Sequence, residues 1–209
     1  MSALDTFADS LSSITDLKNV ENLYRRDDPA SAVRLHNLKV YLQLMKELKP
    51  TRILVGEAPG YKGCKLTGIP FTSERILLNG MNNVSIFGKD KGYQKIDELS
   101  LASEASATMM WGHLSTYSKI PLLWNAFPFH PYKPGKPSSN REPTSDELRL
   151  GSGILRELIT LFAIKQVIAV GNNADKTLNA MGIQHEKVRH PANGGKADFV
   201  DGISKLMQE

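Results

Sequence analysis

Cysteine is nearly missing from this chain of 209 residues: Cys64 stands alone, so no intramolecular disulfide can form. A disulfide-stapled scaffold is therefore excluded, and a reducing compartment is the natural expectation. Apolar runs long enough to span a bilayer are missing too. Met1 to Ser10 carry neither a basic stretch nor an apolar one, so no secretory leader is visible and the cytoplasm is the expected location. No internal repeat or low-complexity tract interrupts the sequence. His113 and His130 have no neighbour at metal-ligand spacing, and no metal is expected.

What is present has ordinary proportions. The hydrophobic fraction of 41% and charged fraction of 23% are those of a soluble globular protein. The length suits one sizeable core and is short for two, so residues 1–209 are expected to form one domain. A net charge of +4 permits an anionic partner without requiring one, since many basic proteins bind no nucleic acid.

Hydrophobic spacing orders the chain. Residues 2–49 read as helical, with breaks near Asp16 to Asn22 and at Pro29. Val33, Leu38, Tyr41, Leu42, Met45 and Leu48 make one apolar stripe, the mark of a core-packing helix. Arg52–Val55, Pro121–Asn125 and Gln166–Val170 read as buried strands, and Glu186–Arg189 as a further one. Helices are expected over 145–162, 172–181 and 195–207. Strands alternating with helices predict an α/β fold of three layers, α/β/α, with a central, mostly parallel sheet. Residues 82–118 fit this alternation poorly. They read as an insertion between sheet elements, a lid or a loop with a short helix.

Three loops follow predicted strands and should converge on one edge of a parallel sheet, where open α/β sheets place their sites. The first, Val55-Gly-Glu-Ala-Pro-Gly60, runs on through Gly63, Gly68 and Pro70 to Phe71. Glycines there let backbone approach a ligand closely, and the Phe71 ring either stacks on a planar ligand or joins the core. The second, Leu123-Trp-Asn125-Ala-Phe-Pro128, offers an amide with two donors and an acceptor. That amide either reads the edge of a base or caps the strand end. The third, Arg189-His190-Pro-Ala-Asn-Gly-Gly195, offers an imidazole and then a glycine-rich turn opening into a helix. His190 is either a hydrogen-bond donor to a ligand or a loop histidine bonded to a carbonyl. Gly194, Gly195 and Lys196 suit a phosphate at a helix start. Cys64 has no local histidine partner and reads as packing or surface rather than as a nucleophile.

Taken together, these segments resemble the uracil-DNA glycosylase superfamily. Gly56-Glu-Ala-Pro-Gly60 with Thr67-Gly-Ile-Pro-Phe71 is similar to the first motif of the branch called family 4. Trp124-Asn125-Ala-Phe and Asn140-Arg-Glu-Pro143 resemble its asparagine segment and following loop, and His190-Pro191 its second active-site motif. The resemblance spans about residues 50–207. It implies a glycosylase that flips uracil out of DNA and hydrolyses its N-glycosidic bond, in base-excision repair. It also implies DNA as partner, a monomer, no membrane and no cofactor. Gly56, Phe71 and Asn125 are then the base-binding residues, with Phe71 stacking on uracil and Asn125 pairing with its edge. His190, Glu57 and Ala58 form the catalytic group. His190 donates to the O2 of the leaving base, and backbone N–H groups near Glu57 and Ala58 assist. Gly60, Arg141, Asn193, Gly194, Gly195 and Lys196 then face the DNA; Lys133, Lys136 and Arg141 are either solvated charges or, if they share the rim of His190, DNA contacts.

The match departs from family 4 in several places. That branch holds an iron–sulfur cluster on four cysteines, which a chain with Cys64 alone cannot do. Its acidic residue after the glycine is replaced here by Tyr61-Lys-Gly-Cys64, which leaves Glu57 as the candidate for handling water. Ala192 stands where many members have serine, and Asn193 is the candidate wedge for the hole left by the flipped base. The alternatives are a glycosylase for hypoxanthine or xanthine, a non-catalytic nucleic-acid-binding member, and a protein for small nucleobases or nucleotides.

Overall fold

The computed structural model describes residues 2–61, 63–96 and 101–208. Its first helix, α1 (Ala3–Ser12), starts in a reciprocal cap in which Ser2 accepts from the Asp5 N–H and the Asp5 carboxylate accepts from the Ser2 N–H. The long α2 (Pro29–Leu48) has Asp28 as its N-cap and Pro29 in the first turn, and it ends at Lys49 in the left-handed region. Proline at the start and a left-handed residue at the end explain why the apolar stripe runs for five turns and then stops. Between the two helices the sequence reading is corrected. The break near residues 16–22 holds a short strand, β1 (Val20–Glu21). It pairs antiparallel with β4 (His130–Pro131), a strand the sequence reading did not expect.

The main sheet consists of β2 (Arg52–Gly56), β3 (Leu122–Asn125), β5 (Gln166–Val170) and β6 (Glu186–Val188). They lie in the order β3-β2-β5-β6 and every pairing is parallel. All four residues of β3 are buried, as are four consecutive residues of β2. Neighbouring side chains in a strand point to opposite faces, so burial of consecutive residues means both faces are covered. The three-layer α/β/α architecture is therefore as expected from the sequence.

The covering helices are α1 and α2 with α6 (Ser145–Phe162), α7 (Asn172–Ala180) and α8 (Lys196–Met207). The N-terminus of α6 repeats the reciprocal cap, here between Thr144 and Glu147. Two short helices, α3 (Cys64–Thr67) and α4 (Glu74–Asn79), follow the first loop. The 82–118 segment carries a three-residue helical turn at Lys89–Lys91 and then α5 (Ala105–Leu114); residues 97–100 lie outside the described residues. Met110, Trp111 and Leu114 of α5 are wholly buried, which makes this helix part of the core.

Strand order fixes where a site can form. The chain leaves β2 for β3 on one side and leaves β5 for β6 on the other. Because β2 and β5 are neighbours, their connections diverge and open a crevice at their carboxyl ends.

Candidate active site

That crevice holds two adjoining cavities. The larger, about 390 Å³, is lined by Gly56, Glu57 and Ala58 after β2, by Val170 to Ala174 after β5, and by Phe71, Asn125, Arg189, His190, Ala192 and Asn193. The smaller, about 320 Å³, is lined by Ala58 to Tyr61, Cys64, Phe71, Glu104, Asn125, Asn140 and His190. Ala58, Phe71, Asn125 and His190 belong to both walls. Residues as far apart as Gly56 and Asn193 thus meet at one place, as the three-loop reading expects.

Asn125 ends β3 beside Gly56, with which it is in register. A Cβ on Gly56 would lie 2.6 Å from the Asn125 Oδ1 and 2.6 Å from the Phe71 Cζ, so glycine is required for these two side chains to converge. Asn125 is buried, yet among the described residues its side-chain amide takes no protein hydrogen-bond partner. A buried amide without a partner is costly unless a ligand or water satisfies it. This one keeps two donors and an acceptor available at the wall of the cavity.

Phe71 sits in the left-handed region with φ +54°, uncommon for a residue with a bulky side chain. Its surroundings over-determine that conformation. The Thr67 hydroxyl donates to the carbonyls of Ile69 and Thr72, and the Tyr24 hydroxyl donates to Gly68 O. From α5, the Trp111 indole N–H donates to Phe71 O at 3.0 Å. The ring is half-buried, with its centroid 6.3 Å from that of His190 and the two planes at 44°.

His190 follows β6. The Ala192 N–H donates to its Nδ1 at 3.1 Å, so Nδ1 is an acceptor and Nε2 carries the proton in the neutral ring. Burial, helped by the neighbouring Arg189 charge, holds its pKa below the ordinary value, which keeps the ring neutral near pH 7. Asn193 and Gly194 are both at positive φ, and they turn the chain sharply back towards His190. Gly195 lies so close beneath that turn that a Cβ would approach His190 O to 2.1 Å. Lys196 is exposed at the start of α8.

Glu57 lies in the larger cavity, where Asn173 Nδ2 donates to its Oε2 at 3.0 Å. Burial raises its pKa, and the Asn173 hydrogen bond opposes that rise. The loops around it are tied together. Ala126 and Phe127 N–H donate to the carbonyls of Gly56 and Glu57, Asn140 Oδ1 accepts from Tyr61 N–H, and a His130 ring nitrogen lies 2.8 Å from Pro59 O. His130 is therefore a loop anchor. His113 is occupied with the hydroxyls of Tyr117 and Ser204. Cys64 is buried and its thiol is pushed up to about 12, which leaves it inert as a nucleophile.

One candidate stands apart from the rest. Arg141 forms a two-pronged ion pair with Glu147 and donates to the carbonyls of Tyr132 and Asn19, and it lines a different cavity with Asp16 to Asn19. Burial tends to raise the Glu147 pKa, but Arg141 and the Thr144 N–H hold it below the usual range. Arg141 therefore ties the start of α6 to the residues beside β1 and β4. Its charge is already matched. Lys133 and Lys136 are exposed on the loop after β4.

Four participants escaped the sequence reading. Asn172 and Asn173 follow Gly171 just beyond β5, and the rule that sites lie beyond strand ends would have named them. Arg189 precedes His190 and is exposed at the cavity. Glu104, in the segment read as an insertion, carried no signal in the sequence.

A covered parallel sheet, with a crevice at its strand ends that holds an aromatic ring, an unpartnered amide and a neutral imidazole, defines an α/β protein with its site at the carboxyl edge of the sheet. Comparison with known proteins narrows that class. The family model described as Uracil DNA glycosylase superfamily matches residues 44–203, and the chain belongs to that superfamily, whose members are DNA N-glycosylases. No curated protein matches. Among solved structures, that of wild-type SMUG2 from Pedobacter heparinus is similar, with a TM-score of 0.63 over 99% of this chain and 97% of that one. At 13% identity the likeness shows the fold alone.

Proposed function

We propose that this protein hydrolyses the N-glycosidic bond of uracil in DNA, using the crevice between β2 and β5. The observation that carries the reading is the Ala192 N–H to His190 Nδ1 hydrogen bond, which leaves Nε2–H as a fixed donor in the wall shared by Phe71 and Asn125. A flipped uracil then stacks on Phe71, and Asn125 reads its C=O and N–H edge. As the bond from N1 to C1′ breaks, its electron pair moves onto the base, and negative charge grows on O2. A neutral imidazole donor held ready at that oxygen stabilises the charge without reorganisation. Water adds to the oxocarbenium-like C1′ and gives up a proton. Glu57, steadied by Asn173, is the group that orients this water and takes the proton. Gly60, Asn193, Gly194, Gly195 and Lys196 flank the DNA strand, and the protein acts as a monomer.

The test is a gel assay on single- and double-stranded oligonucleotides carrying one uracil, with alkali cleavage reporting the abasic product. The wild type is expected to cleave. His190→Ala and Asn125→Ala are each expected to lower kcat roughly 100-fold or more. Binding of uracil-containing DNA without cleavage by a folded wild type would replace this reading with that of a non-catalytic binder.

A further inference from the structure

Among the described residues, Glu104 is the one acidic side chain in the wall of the smaller cavity, which it shares with Phe71, Asn125 and His190. It stands at the N-terminus of α5 without capping it through its side chain. The carboxyl turns instead towards the first loop. Its Oε2 lies 2.6 Å from where a Cβ on Gly63 would be, so any side chain at 63 would displace it. Among the described residues no basic side chain is paired with it. Burial favours its neutral form, and only a hydrogen bond with the Ser106 side chain opposes that. The first loop lacks an acidic residue of its own beyond Gly60, and this segment, forty residues on, delivers one to the same place.

In the protonated form that burial favours, this carboxyl presents one O–H donor beside one C=O acceptor. That pair complements a C=O next to an N–H, the edge that deamination creates on a base. Asn125 takes N3–H and one C=O of uracil; O2 keeps a second lone pair beside the one His190 uses, which a carboxyl O–H can take, and xanthine carries a further C=O and N–H pair. We propose that Glu104 is a specificity-determining residue, a second reader of the flipped base beside Asn125. This rests on the glycosylase reading above. It goes further in assigning base choice to the residue that opens α5.

The experiment compares wild type, Glu104→Ala, Glu104→Gln and Glu104→Asp on oligonucleotides carrying uracil, hypoxanthine or xanthine, with kcat/KM measured for each. Cleavage of at least one lesion by the wild type secures the parent reading first; cleavage of none overturns both. Glu104→Ala is expected to lower kcat/KM for the best lesion roughly tenfold or more and to change the ratios between lesions. Glutamine, which also offers a donor and an acceptor, is expected to keep those ratios within about threefold. A purely structural role would lower all lesions by one common factor, and that result overturns the proposal. If the alanine variant does not fold, the aspartate variant decides. Its carboxyl falls one methylene short, so the ratios should shift as with alanine, and unchanged ratios overturn the proposal.

Discussion

Gly56 sets how closely the base-reading groups approach the end of β2. A methyl there would overlap both the Asn125 Oδ1 and the Phe71 Cζ. Since the site of overlap lies beside the cavity, Gly56→Ala should leave the fold intact while pushing ring and amide into the space the base needs. Activity on uracil-containing DNA is expected to fall at least tenfold, with thermal melting moved by only a few degrees. A fully active variant would mean that the two side chains move aside freely. His190 gives a second prediction at this scale. Its pKa is lowered on folding from the ordinary value of 6.5, so the unfolded chain binds the proton more tightly. Stability from this residue is thus present above 6.5 and is lost as pH falls through the folded value. The melting temperature of wild type minus that of His190→Gln should decline as pH drops from about 7.5 to about 5. A difference that grows on acidification would reverse the assignment of a neutral, half-buried ring.

At the scale of elements, α5 matters because of the bond it makes. The segment that reads from sequence as an insertion supplies the indole N–H that holds Phe71 O, with the Thr72 hydroxyl as a second acceptor at 3.3 Å. The same indole packs edge-on to Phe87, with ring centroids 4.8 Å apart. Trp111→Phe keeps most of the packing and removes the donor. It is expected to cost about 1–3 kcal/mol in chemical denaturation, because a carbonyl in a strained turn loses its partner. It should also weaken catalysis by freeing Phe71 from its left-handed conformation. Stability lost with catalysis unchanged would show that Phe71 keeps its position without Trp111. The Arg141–Glu147 pair likewise ties elements together, joining the start of α6 to the segment leading into β1.

Over the whole molecule, the strand order β3-β2-β5-β6 brings the three loops together. Charge follows from the same arrangement. The net charge is only +4, but Arg189 is exposed at the cavity and Lys196 is exposed six residues beyond His190. If DNA crosses this edge, affinity should fall with added salt. Arg189→Ala and Lys196→Ala should each reduce the slope of log K against log salt by about 1. Arg141→Ala should leave the slope unchanged, since its guanidinium is already neutralised by Glu147. Fluorescence anisotropy across a salt series measures all three. An equal loss of slope in Arg141→Ala would place that residue on the DNA face.

The sequence by itself determined the alternation of strands and helices, because apolar spacing and end signals are local properties. Helix α6 runs from Ser145 to Phe162, as its spacing predicts, and β5 matches residue for residue. The motifs around Gly56, Asn125 and His190 were legible for a related reason: each sits in the few residues beyond a strand, where chemistry and chain position are read together. Only the tertiary structure decided which other groups join them. Arg141 and Glu104 look alike in sequence, each a charged residue in a polar stretch. Packing pairs the first with Glu147 and turns the second into a cavity wall. Spacing cannot foresee that difference, because it depends on which distant segments come to lie against one another.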